Sequence, residues 1–145
     1  MGGFELLEHT ADIGIRATGA SLEEVFEQAT VGLAELLGAW RPGPGEPAPV
    51  AVDAGDPGGL LVDWLNEVIW LREVRDAAVA GVRVDQVDQV VDQAVDQAAG
   101  RAIGALLLAP GVTPADGTIV KAATYHRLRV ERQSGGWLAE VYLDV

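Results

Sequence analysis

The chain has 145 residues, with ten Lys and Arg residues against 22 Asp and Glu residues, and it contains no cysteine. A chain of this length buries about 70% of its unfolded surface, so we expect a single domain over residues 1–145. The missing cysteines exclude disulfides, thiolate zinc sites and thiol nucleophiles. The net charge of −12 disfavours direct binding to RNA phosphates and favours divalent cations and basic proteins as partners.

The sequence shows neither a membrane span nor a targeting segment. Its longest apolar stretch, residues 102–112, is too short to cross a bilayer and contains Pro110. No charged-then-apolar leader precedes the first motif. We therefore expect a cytoplasmic protein without a membrane partner. A monomer and a homo-oligomer are both compatible with the sequence.

Several short segments predict strands, and apolar residues alternate with small or polar ones along residues 13–17. These segments are residues 4–8, 13–17, 50–52, 102–108, 119–124, 126–131 and 137–145, of which 119–124 and 126–131 are two strands or one long bent strand. Connections rich in proline and glycine are predicted at 41–47 and 110–117, and a hairpin turn at 134–136.

Two segments carry clear helix signals. Ser21 and Glu24 form a capping-box pattern ahead of an apolar stripe, and Gly38 supplies the stop. Asp56 and Pro57 are the N-cap and first residue of a second helix. The predicted buried face of that helix consists of Leu61, Trp64, Leu65, Val68 and Leu71.

A repeat of Val-Asp-Gln occupies residues 84–98 and is harder to interpret. Its valines stand at 84, 87, 91 and 95 and its aspartates at 85, 88, 92 and 96, a helical period with separate apolar and acidic stripes. This spacing predicts a helix. Valine is a poor helix former, so a strand followed by an irregular repeat is the alternative. The fold class is α+β, with two main helices packed on a mostly antiparallel sheet.

Candidate metal ligands stand at the two ends of the sequence. Asp144 and the chain end at Val145 lie one residue apart and offer several oxygen atoms to one ion. Asp12 precedes an early strand, and its connection could place it beside that chain end. Such oxygen ligands suit calcium or magnesium, whereas two distant histidines and no cysteine disfavour zinc. The structural alternatives are an Asx turn for Asp12 and a solvated strand end for Asp144.

Other polar residues have both functional and structural interpretations. His9 and His126 are candidate bases of a hydrolase, although structural roles are commoner for such histidines. Asp63 and Glu67 lie four positions apart on one helix face. They are either a second site of oxygen ligands or solvated surface residues.

Four motifs together resemble those of the archease family. They are residues 9–15 (HTADIGI), 60–67 (LLVDWLNE), 120–126 (VKAATYH) and 137–145 (WLAEVYLDV). Their order, their near-complete coverage of the chain and the chain length make the combination specific. The repeat at 84–98 departs from the strand pair that is usual for the family at this place.

The resemblance implies a protein cofactor of the RtcB-type RNA ligase, which joins tRNA halves with GTP and a divalent metal. Such a cofactor speeds guanylylation of the ligase and allows multiple turnovers. The resemblance also implies a metal site at Asp12, Asp144 and Val145, the last through backbone or terminal oxygens. We expect Ca²⁺ there in crystals, and Mg²⁺ or Mn²⁺ in solution.

Our hypothesis is therefore an accessory protein without enzymatic activity of its own. The alternatives are a chaperone-like interaction scaffold and a small metal-dependent hydrolase. Lys121 and His126 are candidates for contact with nucleotide or partner, and a structural role for each is the alternative.

Overall fold

The computed structural model describes residues 2–8, 12–92, 97–110 and 117–145. Within these ranges the chain forms seven strands and two helices. They are β1 Gly3–Glu8, β2 Asp12–Gly19, α1 Leu22–Leu36, β3 Glu46–Ala54, α2 Pro57–Arg75, β4 Ala77–Asp92, β5 Gln97–Pro110, β6 Ala122–Gln133 and β7 Gly136–Asp144.

The strands form two antiparallel sheets. One sheet has the order β1-β2-β7-β6 and the other has the order β3-β5-β4. Each helix contacts both sheets, because α1 packs against β2 and β4, and α2 against β6 and β3. The predicted α+β class is confirmed.

The first helix begins as predicted at Ser21, whose Oγ accepts a hydrogen bond from the Glu24 N–H at 3.2 Å. The reciprocal bond of a capping box is not made, because Glu24 Oε1 is buried without a hydrogen-bond partner in the described part of the chain. The predicted stop is confirmed, since Gly38 adopts a φ of 68°, which suits glycine.

The second helix also begins as predicted. Asp56 Oδ1 accepts a hydrogen bond from the Gly59 N–H at 2.6 Å, and Pro57 is the first helical residue. All five residues of the predicted apolar face are buried. Neither α1 nor α2, the helices of the described ranges, has the length and hydropathy needed to cross a bilayer.

The helix predicted for the repeat at 84–98 is wrong. Its beginning belongs to β4 and its end to β5, which pair as antiparallel neighbours; residues 93–96 lie outside the described ranges. The pairing shifts between Val84 and Gln86, which leaves Asp85 as an extra residue. Because of this bulge, Val84 and Val87 are both buried although they stand an odd number of positions, three, apart. A bulged strand therefore imitates helical spacing here.

Carboxylates of α1 satisfy the outer edge of β4 at this bulge. Glu27 Oε2 accepts a hydrogen bond from the Val84 N–H at 2.9 Å, and Glu23 Oε2 accepts one from the Val87 N–H at 2.8 Å. Residues four apart on a helix are separated by about 6 Å along its axis. The two carboxylates of α1 therefore cover part of an otherwise unpaired strand edge.

Two smaller expectations need correction. The loop predicted at 41–47 ends early, because β3 already begins at Glu46. The strand β3 tolerates its prolines because it is an edge strand that pairs with β5 alone. Residues 119–121 are not a strand, and β6 is the long bent strand of the two alternatives. Its pairing with β7 shifts between Thr124 and Arg129. The loop predicted at 110–117 lies mostly outside the described residues.

One buried hydrogen-bond chain joins the two helices inside the shared core. Thr30, fully buried on α1, donates from Oγ1 to the Phe26 carbonyl at 2.7 Å. The same oxygen accepts from Trp64 Nε1 of α2 at 3.0 Å. The tilted rings of Phe26 and Trp64 lie 6.3 Å apart between centroids.

Thr30→Val should lower the free energy of unfolding by about 1–3 kcal/mol, because it keeps the side-chain shape and leaves the Trp64 N–H buried without an acceptor. Urea denaturation would measure this loss. The control is Thr30→Val in a Trp64→Phe background, where no donor remains and the added cost should be much smaller. Equal stability of Thr30→Val and wild type would contradict this account.

Candidate metal site at the end of the β2–β7 pair

The pairing of β2 with β7 brings the two predicted aspartate ligands together. Asp12 is the Cα partner of Asp144 in this antiparallel pair. Directly opposed residues point to the same face of a sheet, with Cβ atoms about 4.5–5.5 Å apart. The structure therefore joins the early motif to the late one, and metal binding by these residues stays a prediction.

Two further contacts hold Asp144 from the side of β6. The backbone N–H of Lys121 donates to the Asp144 carbonyl at 2.8 Å. Ala122 is the Cα partner of Asp144 on β6. Val145 follows directly and is exposed. The last two residues thus extend from a strand that is paired on both sides.

Of the two histidines, the structure places His126 near Asp12, with its Nε2 at 3.9 Å from Asp12 Oδ2. This distance is too long for a hydrogen bond, and the imidazole is mostly exposed. Its ring edge faces Tyr142 at 6.4 Å between centroids. His9 lies outside the described residues.

Tyr142 explains why a glycine occupies position 14 of the first motif. Gly14 is its Cα partner on β2, and a Cβ at Gly14 would come within 2.8 Å of the Tyr142 ring. The ring therefore covers the glycine on the face that carries Asp12 and Asp144. Any side chain at position 14 would displace it.

The site is an exposed end of the sheet and not a closed pocket. A cavity of about 420 Å³ lies elsewhere, lined by Leu37, Ile69, Arg72 and residues 117–120. Within the described ranges, no three His, Asp or Glu side chains form a group able to hold a metal ion. Among the described residues, a third ligand would come from backbone or terminal oxygens, as expected for Val145.

An ion-pair network that sequence reasoning missed crosses the same face of the sheet. Arg16 binds Glu5 and Glu140, each at 2.7 Å, and Arg129 binds Glu140 at 3.1 Å. Burial raises the pKa of Glu140, but the hydrogen bonds and charges of Arg16 and Arg129 outweigh it and hold the pKa below its ordinary value. The network ties β2 to β7 four residues from the aspartate pair.

Comparison with models of protein families gives a match over nearly the whole chain. The model of the Archease protein family matches residues 4–145. The chain belongs to the archease family.

Archeases of three archaea illustrate the relationship. The proteins named protein archease from Methanosarcina mazei and Methanosarcina acetivorans are 33% and 35% identical, each over 98% of this chain and 95% of the relative. That of Saccharolobus islandicus is 32% identical over the full length of both.

Solved archease structures share the fold. The solution structure of protein 1598 of Methanobacterium thermoautotrophicum has a TM-score of 0.70 at 27% identity and covers 99% of both chains. The crystal structure of an archease from Thermotoga maritima, described as a possible chaperone, has a TM-score of 0.57 at 22% identity. It covers 97% of this chain and 96% of the Thermotoga chain.

Glu140→Gln should make stability less dependent on pH in the acidic range. A carboxylate with a lowered pKa in the folded state adds stability above its unfolded pKa of about 4.3, and this is lost as pH falls through the folded value. The wild type should exceed Glu140→Gln in unfolding free energy at pH 7, and the gap should narrow towards pH 3.

Urea denaturation at several pH values would measure this gap. Glu5→Gln is the matched control, because it removes a more exposed partner of Arg16 and should change stability little. A gap between wild type and Glu140→Gln that is constant with pH would refute the role given to Glu140.

Proposed function

We propose that this archease-family protein activates an RtcB-type RNA ligase in tRNA splicing and RNA repair. In this proposal it promotes guanylylation of the ligase and supports multiple turnover, and it is not itself an enzyme. Family membership supports the proposal. So does the net charge of −12, since complementary charge favours encounter with an enzyme whose RNA- and GTP-binding cleft must be basic.

The observation that carries the metal part of the proposal is the pairing of Asp12 with Asp144. Like charges directly opposed in a strand pair destabilise it. A divalent cation between the two carboxylates would replace this repulsion by attraction to both. With backbone or terminal oxygens of Val145, the donor set consists of hard oxygens, which fits Ca²⁺, Mg²⁺ or Mn²⁺.

The protein's own residues would hold and present this ion. Asp12 and Asp144 bind it, while the bond from the Lys121 backbone N–H keeps the Asp144 backbone in place. A bound cation would supply positive charge to a transferring phosphoryl group. Because this end of the sheet is exposed, it can enter a partner's cleft. The Lys121 and His126 side chains are then candidates for contact with nucleotide or ligase.

The two alternatives make different predictions. A chaperone-like scaffold, the role suggested for the Thermotoga archease, would act through shape and would not need the Asp12 carboxylate. A hydrolase would use His126 as its base with Asp12 as its orienter, yet their atoms are 3.9 Å apart and not hydrogen-bonded. Turnover of a phosphoester by the purified protein alone, lost in His126→Ala, would favour the hydrolase.

Asp12→Asn and Asp144→Asn should each reduce stimulation of ligase guanylylation about tenfold or more, because each keeps the side-chain size but removes a charged ligand. The measurement is the rate at which the ligase forms its covalent guanylate with GTP and metal. Addition of one glycine after Val145 should also reduce the rate, since it moves any terminal carboxylate and leaves every side chain in place.

Asp85→Asn is the control matched in charge. Asp85 is an exposed residue of the β4 bulge and pairs with Arg83, so its loss removes one negative charge elsewhere. Ca²⁺ should raise the melting temperature of the wild type and of Asp85→Asn but not of Asp12→Asn. Full stimulation by Asp12→Asn and Asp144→Asn would exclude the metal mechanism and leave the scaffold.

A further inference from the structure

Large apolar side chains are exposed along α2 and the segment beside it. Trp70 and Val74, one helical turn apart, are 54% and 58% exposed. Ile119 is 80% exposed and Tyr125 is 63% exposed. We call these four residues the α2 seam. Trp70 and Val74 are neighbours on the helix surface, and adjoining exposed apolar groups of this size indicate an interaction site.

The chain from 117 to 125 runs antiparallel to α2, as contacts near both ends of the helix show. Towards the helix end, residues 117–120 line a common groove with Ile69 and Glu73. Towards the helix beginning, the Tyr125 hydroxyl lies 3.8 Å from where a Cβ of Gly59 would be.

Asn66 joins the middle of α2 to this segment by hydrogen bonds. Its Oδ1 accepts from the Ala123 N–H at 2.7 Å, and its Nδ2 donates to the Ala123 carbonyl at 3.3 Å. The amide therefore replaces a neighbouring strand at the outer edge of β6. The helix and the segment are held together, so the seam is a fixed surface.

The segment beside α2 leads to the candidate metal site. Ala122, next to the residue that Asn66 holds, is the Cα partner of Asp144. Trp70 lies one turn beyond Asn66, in the direction in which the adjacent segment approaches Lys121. A partner that engages the Asp12–Asp144 end and extends along this segment would therefore meet Trp70.

Carboxylates border the apolar residues. Asp63 and Glu67 share the outward face of α2 with Trp70 and Val74, since the four stand at helical spacing. Both are partly exposed. This acidic border and the net charge of −12 disfavour a nucleic acid or a second copy of the chain as the occupant.

We propose that the α2 seam is the docking surface for the protein that receives the Asp12–Asp144 end, and that this partner presents an apolar centre surrounded by basic side chains. The inference rests on the proposed function, in which the partner is the ligase. Trp70 supplies the large amphipathic side chain that typically dominates such an interface. The carboxylates of Asp63 and Glu67 speed encounter with a basic surface.

The test is the dissociation constant of the complex with the ligase, measured by calorimetry or by immobilised ligase. Trp70→Ala should weaken binding about tenfold or more, and Val74→Ala should weaken it less. Asp63→Asn with Glu67→Gln should slow association at low salt and flatten its salt dependence. Leu6→Ala is the control, because Leu6 is 42% exposed on β1, at the opposite edge of the four-stranded sheet.

The outcomes separate this inference from the proposed function. In the expected result, Trp70→Ala and Val74→Ala bind Ca²⁺ as the wild type does but lose ligase affinity. Wild-type affinity in both variants would overturn the docking surface alone. If the two variants changed the oligomeric mass of the protein and left its affinity for the ligase unchanged, the seam would be a self-association surface. That result would also overturn the proposed docking surface. A wild-type protein that does not bind the ligase would overturn both proposals.

Discussion

The antiparallel pairing of β2 with β7 is the constraint on which the candidate site depends. It places Asp12 opposite Asp144, and a slip of one residue would turn one carboxylate to the buried face. Two features on the same face oppose such a slip. Tyr142 fits over Gly14, and Arg16 binds Glu140. The strand pair therefore keeps the two aspartates opposite each other despite the repulsion between their charges.

The two helices stabilise the sheets by covering their edges as well as by filling the core. Glu23 and Glu27 of α1 accept hydrogen bonds from the edge of β4, and Asn66 of α2 brackets Ala123 on the edge of β6. The Asn66 contact bears on both proposals, because β6 adjoins the end of β7 that bears Asp144. The proposed docking surface and the proposed metal site therefore both adjoin β6.

Much of the local structure could be predicted from the sequence. Asp56 and Pro57 define the start of α2 because capping depends on neighbouring residues alone. The repeat could not be assigned in this way, since the bulge at Asp85 depends on pairing with β5. The position of His126 near Asp12 likewise depends on the strand order of the sheet, which no local pattern encodes. The archease-like motifs indicated Asp12 and Asp144 together, whereas residue chemistry alone left each with an ordinary structural alternative.

The most direct test of metal binding at Asp12, Asp144 and Val145 is a titration of the ¹⁵N-labelled protein with Mn²⁺, observed by NMR. Paramagnetic broadening depends steeply on distance from the ion, so its centre locates the binding site. We expect the amide signals of Asp12, Asp144 and Val145 to broaden first. Broadening centred on the exposed aspartates of β4, with the Asp144 signal unaffected, would contradict it.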